Sequence, residues 1–150
     1  MMHVSVRRYQ EHDYSRVCAL NSMKIPGGYH GAVFVRQASV LFPETFLVAD
    51  RDGEVIGFII GAREQENSGN AWILRLGVDV ASRRQQVGRR LLTELVEIFR
   101  SMEIHRLFLS VSTENGPAIR LYEDIGFEQK EFCNAYFGEG EPRIIMHRDI

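Results

Sequence analysis

The sequence of 150 residues predicts a single mixed α/β domain, and three observations carry that prediction. Its length is that of one ordinary domain, because domains typically span about 100–150 residues. Apolar residues make up 45% and charged residues 25%, which is typical of a compact domain and not of a disordered or fibrous chain. Strand-like runs alternate with segments of helical periodicity along residues 1–150, so we expect a sheet flanked by helices.

The first part of the chain predicts a strand followed by two helices. Val4 to Tyr9 alternates polar and apolar residues as a short strand does, and Asp13 to Met23 spaces its apolar residues as a helix does. Ile25 to Gly31 is a cluster of helix breakers. A second short helical stretch then continues to about Val40.

Three strands are predicted next. Thr45 to Ala49 and Glu54 to Ile60 flank the turn Asp50 to Gly53, whose Asp-Gly pair favours a hairpin. Asn67 to Asn70 forms another turn, and Ala71 to Val80 is the third strand of this group. The hairpin predicts antiparallel pairing between the first two of these strands.

The remaining sequence predicts a long helix and then a strand. From Val87 to about Glu103, apolar residues recur at intervals of three and four, which indicates one buried helical face. Arg106 to Val111 alternates as a strand does.

A short helix and a strand pair complete the chain. Asn115 is the expected N-cap of this helix, Pro117 lies in the first turn of the helix, and Gly126 follows its end. Phe127 to Asn134 and Arg143 to His147 then form the two last strands.

Composition and charge exclude several classes of function. The longest apolar run, Val55 to Ala62, has eight residues, whereas a membrane helix needs about 20, so we expect no membrane span. The first residues lack the features of a secretory signal, which predicts a cytoplasmic protein. Cys18 and Cys133 show no ligand spacing, and neither do the five histidines, so no metal site is expected. The net charge of −2 argues against general binding of nucleic acids.

One local cluster of arginines predicts an anion site. A strand ending at Val80 and a helix beginning near Val87 place residues 83–89 at a strand-to-helix corner. Helix N-termini offer N–H groups and a partial positive charge, and Gly88 allows close approach of a ligand to the main chain. The arginines at 83, 84, 89 and 90 can add bidentate contacts, so a diphosphate fits best. The alternative is an ordinary solvated helix start.

Two segments resemble the signatures of the GCN5-related N-acetyltransferase family. Val78 to Leu92 is similar to the first signature, and Asn115 to Phe127 is similar to the second. The predicted order of elements matches the family along the whole chain. The resemblance implies a mixed, mostly antiparallel sheet of six to seven strands flanked by about four helices. It also implies transfer of an acetyl group from acetyl-CoA to an amine. Because neither cysteine lies in a motif, we expect direct transfer with no covalent acyl-enzyme, and we expect no metal.

The resemblance assigns roles by position. The main chain of Leu76 to Val78 would pair with the pantetheine arm, amides of residues 84–89 would hold the diphosphate, and Asn115 would contact the cofactor near the pantetheine. Tyr122 would be the acid that protonates the departing thiolate. The complete cofactor-binding set is Leu76, Gly77, Val78, Arg83, Arg84, Gln85, Gln86, Val87, Gly88, Arg89 and Asn115.

The chemistry of Tyr122 agrees with this role. A tyrosine with a pKa of about 10 is protonated at neutral pH and can donate to a thiolate. Tyr122 shares a helical face with Ala118 and Ile125, which directs it toward the sheet. The alternative is a core tyrosine whose hydroxyl is satisfied.

The sequence departs from the family pattern at two places. Gln86 stands where the first signature usually has glycine; if that position has a positive φ, glutamine costs about 1 kcal/mol. Ser110 and Leu74 occupy positions where other members often carry a carboxylate. No general base can therefore be named, and the remaining candidates are Glu44, Glu64 and Glu114.

The missing base favours a weakly basic acceptor. A lysine ε-amine has a pKa of about 10.4, whereas an α-amine has one near 7.7–8.0 and loses its proton more easily, so water suffices as proton acceptor. The last hairpin is similar to that of ribosomal-protein and peptide N-terminal acetyltransferases. Tyr136 and Phe137 would help to bind a peptide, and Tyr29 would border the acceptor from the other side.

The sequence therefore predicts an acetyl-CoA-dependent N-acetyltransferase whose acceptor is a protein or peptide α-amine. The alternatives are an enzyme that acetylates small amines, a non-catalytic acyl-CoA-binding regulatory module, and a domain of this fold whose cofactor site has decayed. The sequence leaves the oligomeric state open, a dimer included.

Overall fold

The computed structural model describes residues 3–21, 29–83 and 86–150, and in these ranges it contains seven strands and four α-helices. The strands of the sheet follow the order β1-β2-β3-β4-β5-β7-β6. The mixed, mostly antiparallel fold is thus as predicted. In chain order the elements are β1 (Val4–Arg8), α1 (Tyr14–Leu20), α2 (Tyr29–Leu41), β2 (Phe46–Arg51), β3 (Glu54–Arg63), β4 (Asn70–Val78), α3 (Val87–Ser101), β5 (Arg106–Ser112), α4 (Gly116–Asp124), β6 (Glu128–Cys133) and β7 (Arg143–Asp149).

Several element ends differ from the sequence prediction. Helix α2 already begins at Tyr29, inside the segment predicted as helix breakers, while residues 22–28 lie outside the described ranges. Strand β3 continues to Arg63, and β4 ends at Val78. Val80, predicted as the end of that strand, begins a 3₁₀ turn and is 71% exposed, so its apolar side chain has no core to pack against.

Two compact units divide the chain. The first consists of Met1–Gly61 and Arg75–Ile98, and the second consists of Ala62–Leu74 and Phe99–Ile150. The single domain over residues 1–150 stays a prediction.

Strand β3 of the first unit has helices on both of its faces, which explains its continuous apolar run. On one face, the register pairs Val48 with Phe58, and these residues form a buried core with Val17 of α1 and Val35 of α2. On the other face, Gly57 lies against the first turn of α3. Of the face that the periodicity predicted, helix α3 buries Leu91, Leu92, Leu95 and Phe99, whereas Ile98 is half-buried.

The second unit has the predicted ends of the short helix α4. The Asn115 Oδ1 accepts a hydrogen bond from the Ala118 N–H at 3.2 Å, as an N-cap does. Gly126 has a φ of 100°, which ends the helix as expected. In the sheet of this unit, β5 pairs in parallel with β4 and antiparallel with β7, and β7 pairs antiparallel with β6. None of the helices in the described part of the chain is long and apolar enough to cross a membrane.

A buried carboxylate joins β1 to the start of α1. Asp13 is 2% exposed and accepts hydrogen bonds from Arg7 Nη1 at 2.8 Å, from Arg7 Nη2 at 3.0 Å and from the Gln10 N–H at 2.8 Å. Burial alone would raise the pKa of Asp13, but these hydrogen bonds and the charge of Arg7 outweigh it and lower the pKa below its ordinary value of 3.8.

We expect Asp13→Asn to destabilise the protein by about 2 kcal/mol at pH 7, because the half-buried Arg7 loses the charge of its buried acceptor. Since the folded-state pKa of Asp13 lies below the unfolded one, this contribution is complete above the unfolded pKa and disappears as the pH falls through the folded pKa. Urea unfolding of both proteins at pH 7 and pH 3 measures the difference, which should shrink at pH 3. An equal difference at both pH values would contradict the assignment.

Candidate active site

The predicted cofactor strand is the C-terminal end of β4, and it packs closely on β3. A Cβ atom placed on Gly77 would lie 2.5 Å from Cε1 of Phe58, so a side chain there would displace a ring that is 1% exposed. A Cβ placed on Gly57 would lie 3.1 Å from the Gly77 carbonyl oxygen. The half-buried Leu76 and Val78 flank Gly77. The main chain of β4 therefore lies directly against β3 at this point.

The chain is held firmly where it leaves β4. The Asp79 N–H donates to the Ile56 carbonyl oxygen at 2.8 Å, and the Asp79 carboxylate lies 3.3 Å from Arg16 Nη2. Arg16 Nε also donates to the Val55 carbonyl oxygen at 2.9 Å. Helix α1 thus anchors the entry to the strand-to-helix corner.

The predicted anion corner is the start of α3. The Arg90 N–H donates to the Gln86 carbonyl oxygen at 3.0 Å, so Gln86 is the last residue before the helix. The N–H groups of Val87 and Gly88 come before this bond, and the helix itself offers them no acceptor. Together with the dipole of a helix of 15 residues, they favour an anion.

Gln86 has a φ of 64°, a left-handed conformation that favours glycine. The backbone geometry expected of the family's glycine is therefore present without the glycine. Gln86 is exposed and lines an open depression of about 550 Å³ together with His3, Arg89, Arg90 and Thr93. Two guanidinium groups beside the helix start add positive charge there.

Other predicted corner residues are described in part. Arg83 is exposed after the 3₁₀ turn, and Arg89 is half-buried in the first turn of α3. Arg84 and Gln85 lie outside the described residues. Within the first unit, the structure thus brings together the end of β4 and the start of α3.

In the second unit, Tyr122 lies on α4 and Asn115 is the N-cap of that helix. Tyr122 is 8% exposed, and the edge of its ring contacts Phe127 with the ring centroids 5.9 Å apart. Burial raises the pKa of Tyr122 to about 12, because a phenolate loses hydration there. The phenol is therefore protonated at neutral pH, as a proton donor must be. Asn115 is exposed.

The last hairpin carries an exposed aromatic pair. Tyr136 is 42% and Phe137 61% exposed, and their rings meet edge to face with centroids 4.9 Å apart. The Arg143 guanidinium lies 4.9 Å from the Phe137 ring centroid and 3.1 Å from Glu141. Tyr29, the other predicted acceptor residue, is the first residue of α2, and its side chain lies outside the described part.

The candidate bases differ in what they contact. Glu64 Oε1 accepts a hydrogen bond from Trp72 Nε1 at 2.8 Å, so this carboxylate supports the sheet of the second unit. Glu44 and Glu114 are exposed. Ser110 and Leu74 lie on β5 and β4, where neither side chain can accept a proton at neutral pH.

In the described ranges no group of three or more His, Cys, Asp and Glu side chains could hold a metal ion. Cys18 and Cys133 are free thiols. Neither cysteine belongs to the segments that carry the candidate site.

Comparison with known proteins settles the family. A family model described as "Acetyltransferase (GNAT) family" matches residues 16–127, which include the corner, Asn115 and Tyr122. The chain belongs to the GNAT acetyltransferase family. The predicted family and the predicted acetyltransferase are confirmed.

The similar proteins include N-terminal acetyltransferases. An N-alpha-acetyltransferase from Sulfurisphaera tokodaii is 25% identical over 94% of this chain and 90% of its own length. The N-terminal acetyltransferase B complex catalytic subunit NAA20 from Arabidopsis thaliana is 27% identical over 97% of this chain and 85% of its own. The crystal structure of Ard1 from Thermoplasma volcanium superposes with a TM-score of 0.87 at 26% identity, covering 98% of this chain and 97% of that one.

Sequence reasoning missed two residues that contact the end of β4 and the start of α3. Gly57 interrupts a β-branched strand, and such an interior glycine signals close approach of another backbone or side chain. Arg16 lies on α1, and its contact with Asp79 joins residues 63 positions apart. No local pattern predicts such a contact.

We expect Gln86→Gly to raise the free energy of unfolding by about 0.5–1 kcal/mol, because glycine adopts the left-handed conformation without strain. Glu103→Gly is the matched control, since Glu103 is also exposed and has a φ of 62°. Urea unfolding should show a gain in both variants. A loss at Gln86 combined with a gain at Glu103 would mean that the Gln86 side chain itself stabilises the corner.

Proposed function

We propose that this GNAT protein transfers an acetyl group from acetyl-CoA directly to the α-amine of a protein or peptide. The observation that carries the proposal is the corner at Gln86, where a left-handed residue precedes a long helix joined to the end of β4. The similarity to N-alpha-acetyltransferases over more than nine-tenths of the chain supports the class of acceptor.

The first unit would bind the cofactor through its main chain. In the proposed complex, Leu76 to Val78 pair with the pantetheine arm as another strand would. Amides of residues 84–89 hold the diphosphate, and the guanidinium of Arg83 adds charge. The close packing of Gly77 and the anchored Asp79 favour this role, because a rigid main chain loses little entropy on binding.

Tyr122 would supply the acid. The amine nitrogen attacks the thioester carbonyl carbon, the C–S bond breaks, and the thiolate takes the proton of the Tyr122 hydroxyl. The proton lost by the amine passes to water, and solvent returns a proton to the phenolate. A pKa of about 12 keeps Tyr122 protonated until the thiolate forms. Asn115, at the N-cap of the same helix, would contact the pantetheine.

The absence of a carboxylate at Ser110 and Leu74 supports an acceptor that loses its proton without help. With pKa values near 7.8 and 10.4, about one α-amine in seven is neutral at pH 7, against fewer than one lysine ε-amine in a thousand. Water is then an adequate proton acceptor. Tyr136, Phe137 and Tyr29 would contact the residues that follow the acceptor amine.

Acetyl transfer from acetyl-CoA to a panel of peptides, lysine side chains, polyamines and amino acids tests this function. We expect turnover on peptides with a free N-terminus and little on the same peptides when that terminus is blocked. Activity restricted to polyamines would overturn the peptide acceptor. Binding of acetyl-CoA in calorimetry with no release of thiol would support a regulatory module instead.

We expect Tyr122→Phe to lower kcat about a hundredfold and to change the KM for acetyl-CoA less than twofold, because the thiolate loses its proton donor. Tyr9→Phe is the control: burial also raises the pKa of Tyr9 to about 12, and its hydroxyl is buried with no partner in the described part of the chain. That variant should keep its kcat. An unchanged kcat in Tyr122→Phe would remove Tyr122 from the mechanism.

A further inference from the structure

We infer that Gly57 is a positioning residue that sets the distance between the first turn of α3 and the main chain of β4. The inference rests on the proposed function, because it assigns to these two elements the binding of acetyl-CoA. Gly57 itself lies on β3, outside both family signatures, where its partner on β2 is Ala49.

The contacts at Gly57 reach both elements at once. A Cβ atom there would lie 3.1 Å from Val87 Cγ1, 3.1 Å from Leu91 Cδ1 and 3.1 Å from the Gly77 carbonyl oxygen. Carbon atoms pack at about 3.5–4.0 Å, so even one methyl group would require its neighbours to move by a few tenths of an ångström.

The helix start is the neighbour that would move. Strand β3 is fixed by its ladder with β2, and the Asp79 N–H bond to Ile56 fixes the chain at the end of β4. Val87 and Leu91 instead belong to the first turns of α3, the end that would bind the diphosphate. Both side chains are buried, at 4% and 0% exposed, so they cannot turn into solvent. A methyl group at residue 57 would therefore lift the helix start.

The affected ligand group is the diphosphate, because it would bind to the N–H groups of that turn. S-acetylpantetheine carries the same thioester and pantetheine arm but no diphosphate. It therefore reports on the rest of the site independently of the corner. A purely structural role for Gly57 would affect both acetyl donors alike.

The test is Gly57→Ala, assayed with both acetyl donors. We expect the KM for acetyl-CoA to rise about five- to tenfold, since displacement of binding groups by 1 Å can cost about a hundredfold. Both kcat with acetyl-CoA and kcat/KM with S-acetylpantetheine should change less than twofold. Equal losses with both donors, or an unchanged KM for acetyl-CoA, would overturn the inference. Absence of transfer by the unmodified protein would instead overturn the proposed function.

Two further variants keep the test decisive. In Gly57→Ala/Val87→Ala, the removed Cγ1 relieves the close contact with the first residue of α3, so the KM for acetyl-CoA should return at least halfway to that of Val87→Ala alone. Gly69→Ala is the matched control, because a Cβ there would meet Asn67 Oδ1 at 3.5 Å, an ordinary contact distance. It should leave the KM unchanged. Failure of the double variant to recover would contradict the steric cause.

Discussion

The packing of the first turn of α3 on Gly57 is the constraint on which the corner of the first unit depends. Val87 and Leu91 contact β3 at Gly57, which has no side chain. The Gly77 carbonyl oxygen of β4 approaches Gly57 equally closely. The strand end and the helix start thus share one point of contact. Because main-chain groups define this corner, its side chains can vary as long as its backbone does not.

Gln86 shows that the backbone conformation of the corner does not depend on a glycine at this position. The residue has the left-handed φ that a glycine would adopt easily, and the surrounding elements hold it there although glutamine is strained in that conformation. Arg16 contributes from a different element by anchoring Asp79, so part of the corner is maintained by a long-range ion pair. Backbone strain of this kind persists only where neighbouring structure determines the conformation.

Burial in the second unit separates two kinds of tyrosine. Tyr122 is shielded from water, which favours its neutral form, whereas Tyr136 is exposed beside Phe137. Burial keeps the Tyr122 phenol protonated at neutral pH, as the proposed acid requires, and exposure leaves Tyr136 accessible for the proposed contact with a peptide. Ser110 and Leu74 carry no carboxylate, which fits the proposed α-amine acceptor, because an α-amine loses its proton more easily than a lysine ε-amine.

The sequence by itself determined the order of the elements, the buried face of α3, the caps of α4 at Asn115 and Gly126, and the family, because local periodicity, capping chemistry and spacing are written in neighbouring residues. It also located the corner and the one position there, Gln86, at which the sequence departs from the family's first signature. Only the tertiary structure decided that Val80 leaves the sheet, that Gly57 receives the helix and that Arg16 holds Asp79. These features depend on contacts between residues far apart in the chain, and no local pattern encodes which distant surface a side chain will meet.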